Sequence, residues 1–144
     1  MVRNNRPVFG IGPKHSIACF TDADSVGVKK VLCAASPTYG SLVRLLAATT
    51  NNGAPVHYQI FIGGTEPTSA KFATFDVAAS AGDDGSVPTK NILDPDNIPS
   101  LIKDLEGNYY LPLGPGMILY IAELEPQAAG CSTAVHCIAE DLGE

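Results

Sequence analysis

The sequence predicts an all-β protein, an antiparallel β-sandwich or jelly roll with at most one short helix. Three observations predict it. The segment Ser41–Ile62 pairs two apolar arms around a turn-rich centre: Leu42–Ala48, then Thr49-Thr50-Asn51-Asn52-Gly53-Ala54-Pro55, then Val56–Ile62. In the second arm Val56, Tyr58, Ile60 and Ile62 share one face, the period of two that marks a half-buried strand. The 144 residues include 14 Gly and 11 Pro, which suits many turns and few long helices. Finally, seven or eight short apolar runs are separated by turn chemistry at the spacing of an all-β domain.

Taken in order, Met1–Lys14 has two prolines, two glycines and no periodicity. It reads as an extended arm ahead of a single sandwich domain, with the boundary between residues 15 and 16. Ser16–Phe20 is the first strand and Thr21–Ser25 a turn with Asx chemistry. Val26–Ala35 is the second strand, and Ser36–Gly40 turns the chain into the Ser41–Ile62 hairpin. Gly63–Pro67 ends that hairpin, and Ala70–Ala78 follows as a strand with Phe72 and Phe75 facing inward. Ser80–Ser86 is a loop tip. Pro88–Pro99 holds too many prolines for a central strand. Leu101–Leu105 is the one helix the sequence offers, with Leu101, Ile102 and Leu105 as its apolar stripe and Gly107 as its C-terminal cap. Tyr109–Leu113, the Gly114-Pro115-Gly116 turn and Met117–Ala122 read as a second hairpin. After a turn at Pro126–Gly130, Ser132–Ala139 closes the fold.

Charge is scarce and uneven. Charged residues are only 17% of the chain, and the formal net charge is −6. Residues 1–20 hold Arg3, Arg6 and Lys14 and no acid, whereas the remainder carries six basic and fifteen acidic residues. An acidic body excludes broad nucleic-acid binding, which needs a cationic face to displace phosphate counterions. A surface this poor in charge suits burial against partner subunits. No segment has the apolar core of a signal peptide, and none reaches the roughly 18 apolar residues of a membrane span. Cytoplasmic synthesis is therefore expected, where cysteines stay reduced. Four cysteines, Cys19, Cys33, Cys131 and Cys137, allow three pairings. Each of the four is read in an apolar, strand-like setting, as around Cys19, Cys33 and Cys137, which points to buried, inert thiols.

Chemical motifs are sparse. Cys131 and Cys137, if on one strand, lie roughly 20 Å apart, too far to share a metal ion. The acidic loops at Asp83/Asp84 and Asp94/Asp96 offer oxygen ligands for a weak calcium site but lack the terminal bidentate Glu, and read as Asx turns. His15, His57 and His136 have no Ser or Cys nucleophile at a recognisable spacing, and no G-x-S-x-G is present. His57 and His136 fall in strands and read as structural. Glu123 and Glu125 face one side and read as a solvated edge. Gly10–Ser16 lacks phosphate-loop spacing and precedes a strand. No catalytic residue, metal or cofactor is expected, and the chain is not expected to be an enzyme.

The order of elements resembles small virion proteins of tailed bacteriophages. The likeness is carried by the apolar strand, Thr/Asn-rich turn and return strand of Leu42–Ile62. It extends to the glycine-centred hairpin Leu111–Tyr120 and to a last strand, Ser132–Glu140, that runs out at an acidic end. Together these cover residues 26–140. The resemblance implies a β-sandwich that works by contact: a capsid decoration (cement) protein bound to the major capsid protein and to itself, with a trimer favoured, located in the virion. It also implies that an N-terminal arm can lie along a neighbouring subunit, which singles out Arg3, Asn4, Asn5, Arg6, Pro7 and Phe9. Two other roles remain open: a minor tail or neck component, and a carbohydrate-binding jelly-roll module using Tyr39, Tyr109 and Tyr110. A cupin-like enzyme would need a clustered His/acid metal centre, and no such spacing is present.

Overall fold

The structure, a computed structural model, describes residues 9–65 and 68–143. Ten strands form: β1 (Phe9–Thr21), β2 (Lys30–Ala34), β3 (Ser41–Thr50), β4 (Val56–Gly63), β5 (Ala70–Val77), β6 (Lys90–Asn91), β7 (Ile102–Lys103), β8 (Tyr109–Leu113), β9 (Ile118–Glu123) and β10 (Ser132–Gly143). They make two antiparallel sheets. The larger runs β1-β10-β3-β8-β7, with β6 also on β3, and the smaller runs β2-β9-β4-β5. Among the described residues there is no helix. The all-β sandwich is therefore as expected.

The pairing is nested. β1 pairs with β10, β2 with β9, β3 with β8, and β4 with β5, all antiparallel. Two further pairings, β10 with β3 and β9 with β4, close each sheet. This is the order produced by rolling one long hairpin, a jelly roll. Alternation along each strand fills the space between the sheets. Val43, Leu46 and Ala48 from β3, Tyr58 and Ile60 from β4, Leu119 and Ile121 from β9, and Val135, Cys137 and Ala139 from β10 are all buried there.

Nesting overturns both expected hairpins. β3 and β4 do not pair: they lie in opposite sheets, and Asn51–Pro55 carries the chain across the sandwich. Likewise β8 and β9 lie in opposite sheets on either side of Gly114–Gly116. The face assignment survives, because Val56, Tyr58 and Ile60 are buried and Ile62 packs against the core. Alternation reports which side faces the core; it carries no information on which strand lies alongside.

Other differences have local causes. The first strand starts at Phe9 rather than Ser16, since Phe9–Lys14 pairs with the end of β10 across a bulge at Gly10–Pro13. The second starts at Lys30, leaving Val26 and Val28 exposed. The expected helix at Leu101–Leu105 is instead β7 and the tip of a hairpin with β8. The Asp104 carboxylate accepts the amides of Glu106 and Asn108, both at 2.9 Å, an Asx turn that competes with helix. Gly107 takes the positive φ (+89°) foreseen for it, but at a hairpin tip, and Leu105 is fully exposed. In β5 Phe72 and Phe75 are three residues apart, so period-two alternation sets them on opposite faces: Phe75 is buried while Phe72, the bulged residue opposite Ile60/Phe61, faces out.

Gly40 shows how tightly the crossings pack. Its φ is +82°, its amide hydrogen-bonds to the Ser36 carbonyl at 3.0 Å, and its carbonyl accepts the Leu142 amide at 3.0 Å. A Cβ there would lie 2.3 Å from the Leu113 carbonyl oxygen. Gly40→Ala thus meets both backbone strain and a clash with main chain. We expect a loss of about 2–4 kcal/mol in denaturant unfolding, with the slope unchanged.

Candidate interaction face

The two outer faces differ. On the smaller sheet, Phe61, Tyr120 and Ala122 form a satellite cluster that the chain covers itself. Lys29 Nζ sits 4.3 Å above the Phe61 ring and donates to Ser69 Oγ at 2.9 Å, while Tyr120 Oη donates to the Gly64 carbonyl at 3.1 Å.

Among the described residues the larger sheet has no such cover over its centre. The registers of β1, β10 and β3 place nine outward side chains in three rows: His15, Ile138 and Leu45; Ile17, His136 and Ala47; Cys19, Ala134 and Thr49. None is Asp, Glu, Lys or Arg. Ile17 is 52% exposed and Leu45 39%. His15 and His136 are diagonal neighbours, with ring centroids 5.5 Å apart and His15 Nε2 3.3 Å from His136 Nδ1. The grid measures roughly 15 by 20 Å from strand spacing and rise. Charges begin only at its margin, where Arg44 is squeezed out at the β3 bulge opposite Ile138/Ala139.

That margin opens into a groove of about 530 Å³ lined by Arg44, Asp104, Leu105, Glu106, Asn108 and Tyr109. The Arg44 guanidinium lies 3.4 Å from Glu140, 3.6 Å from Asp104 and 5.1 Å above the Tyr110 ring. Lys103 sits 5.2 Å above Tyr109. Of the three tyrosines singled out in the sequence, Tyr109 lines the groove and Tyr110 lies at its edge; Tyr39 is in the β2–β3 turn, away from it.

One end of the core is polar. Glu123, fully buried, faces inward beside Tyr58. Gln127 Nε2 donates to Glu123 Oε2 at 3.0 Å and to Tyr58 Oη at 2.8 Å. Gln127 Oε1 accepts from Asn52 Nδ2 and, at 3.0 Å, from Thr133 Oγ1. Burial raises the Tyr58 hydroxyl pKa above the ordinary phenol value. Glu123 is thus separated from Glu125, which meets His57 Nδ1 at 2.6 Å on the surface. The expected solvated pair does not exist, because β9 ends at Glu123 and the chain turns. Alternation from Leu119 and Ile121 would have placed Glu123 inside.

The acidic loops are Asx turns: Asp84 Oδ1 accepts the amide and hydroxyl of Ser86, and Asp94 Oδ1 accepts the amide of Asp96. Among the described residues no three metal-ligating side chains cluster. Cys19 is exposed rather than buried, being on the outward side of β1, and Cys131 is half-exposed; Cys33 and Cys137 are in the core. Arg3, Asn4, Asn5, Arg6 and Pro7 lie outside the described residues, and the Phe9 backbone pairs with Gly143 in β1. In comparisons with known proteins, no family model and no curated sequence matches the chain.

Two outcomes test this geometry. Gln127→Ala leaves Asn52, Thr133, Tyr58 and Glu123 without a shared partner in a buried setting, and should cost about 2–4 kcal/mol in chemical unfolding. Asp141 accepts a 2.7 Å ion pair from Lys14 and a 2.6 Å hydrogen bond from Ser41, and both hold its carboxyl below the usual range. A depressed folded-state pKa stabilises above the unfolded value near 4 and is lost as pH falls through the folded one. Asp141→Asn should therefore lower stability at pH 6–7 but not at pH 2–3, which thermal melts across that range would read.

Proposed function

We propose that this chain is a virion structural protein, a capsid decoration subunit that stabilises a bacteriophage head by contact with the major capsid protein and with copies of itself. The observation that carries the reading is the grid centred on Ile17, His136 and Ala47, which holds no Asp, Glu, Lys or Arg. A continuous patch on the larger sheet without carboxylate, ammonium or guanidinium groups suits burial against another protein surface. The low overall charge and the phage-like order of strands support it, as does a jelly roll, a fold that serves as a rigid contact module. Fold-level likeness alone does not assign a role, so the grid bears the weight. The N-terminal residues Arg3, Asn4, Asn5, Arg6 and Pro7 add positive charge to an acidic chain and would lie along an acidic neighbour. Trimeric self-association is part of the proposal.

Co-sedimentation with phage heads tests it. Leu45→Glu and Ile17→Lys place charge in the grid without touching the core, and should leave folding intact while lowering particle occupancy by tenfold or more. Removal of residues 1–8, which stops short of β1, should weaken occupancy in the same assay. Full occupancy of both grid variants rejects the face, and a strictly monomeric wild-type mass in light scattering rejects the self-association.

A second reading, a carbohydrate-binding module, is favoured by one feature. The groove at Tyr109 sets an aromatic ring among Asp104, Glu106, Asn108 and Arg44, the mixture of flat apolar surface and hydrogen-bonding groups that sugars need. Glycan-array binding abolished by Tyr109→Ala is the outcome that would establish it.

A further inference from the structure

Among the described residues β2 forms one edge of the smaller sheet and β1 one edge of the larger, and there the sandwich is pinched shut. β2 comes within 8 Å of both β1 and β10 between Cα atoms. Two side chains of β1 hold it: Ser16 Oγ donates to the Leu32 carbonyl and Lys14 Nζ to the Ala34 carbonyl. Between them a bulge in the β2–β9 register turns two successive side chains, Leu32 and Cys33, into the core. Ser16 is also the register partner of Cys137 on β10. Cys33 and Cys137 therefore come together across the sheets within one buried cluster, 3% and 0% exposed. A shallow pocket of about 230 Å³, lined by Lys14, Ser16, Leu32 and Cys33 among others, opens at this edge, and Cys137 does not line it.

We infer that Cys33 and Cys137 are a redox pair that closes into an inter-sheet disulfide when the protein passes from a reducing compartment to one containing low-molecular-weight disulfides. Buried inter-sheet disulfides are compatible with β-sandwiches, as antibody domains show. The pinched edge brings the two strands nearer than the usual separation of packed sheets of about 10 Å, which the limited reach of a disulfide requires.

The steps balance. Cys33, the member of the pair that lines the edge pocket, attacks as its thiolate one sulfur of the small disulfide. That S–S bond breaks, the first small thiol leaves and Cys33 carries a mixed disulfide. Cys137 gives up its proton, attacks the Cys33 sulfur and expels the second small thiol. Two cysteines lose two electrons, and the small disulfide is reduced to two thiols. Interaction with Cys137, with Lys14 nearby, lowers the Cys33 thiol below the ordinary thiol range, whereas interaction with Cys33 and burial push the Cys137 thiol up.

The test uses the full chain and its Cys19→Ser/Cys131→Ser double variant, each equilibrated with oxidised glutathione, then alkylated in denaturant and mapped by non-reducing mass spectrometry. A 33–137 cross-linked peptide is expected in both, with a melting temperature raised on the order of 10 °C because the closed loop spans most of the chain. Adding Cys33→Ser to the double variant should abolish the cross-link and the rise together. Full alkylation of Cys33 and Cys137 after oxidation, or a cross-link that fails to raise the melting temperature, overturns the inference.

Discussion

The placement of β10 between β1 and β3 is the constraint on which the larger sheet depends. Its inward residues Val135, Cys137 and Ala139 are wholly buried, while its outward residues Ala134, His136 and Ile138 form the middle column of the exposed grid. A slip of one residue would exchange the two sets, sending imidazole into the core and small apolar side chains into water. The same strand thus fixes the core on one side and the candidate contact surface on the other. The ion pair from Lys14 to Asp141, with Ser41 on the same carboxylate, ties β1, β10 and β3 together near the end of that register.

What could be read from the residues alone divides along a physical line. Burial alternation is a property of one strand, so the inward face of β4 was visible: Val56, Tyr58 and Ile60 needed no partner to be recognised. Pairing is a property of two strands, and the nearest strand in sequence was the natural candidate. At Ser41–Ile62 and Leu111–Tyr120 that inference failed, because loops such as Asn51–Pro55 can either reverse a chain within a sheet or carry it between sheets. Bulges were invisible for a related reason: the extra residue at Phe72 or Arg44 has no composition signal, yet it reverses the face of everything beyond it.

The candidate sites follow the same rule. Cys19 and Cys33 have similar apolar neighbours in sequence, but regular alternation turns one outward and a bulge turns the other inward. The Gln127 network joins residues from two crossings and three strands, and no spacing of residues anticipates it. Leu101–Leu105 carried a short helical stripe, but the Asp104 carboxylate captures two amides and the local competition favours a turn. Glu123 was legible and was read wrongly, since its parity with Leu119 and Ile121 put it inside.

Nested pairing also sets an order of events in time. Phe9 finds its partner in Gly143, and Ser16 in Cys137, so the first strand made must wait for the last. Until the ribosome has delivered β10, both β1 and β3 lack the neighbour that joins them, and their edges are open to other chains. The small sheet suffers less, because β4 and β5 are adjacent and can close early. Such a chain should mature slowly after release, with its non-local closures as the late step.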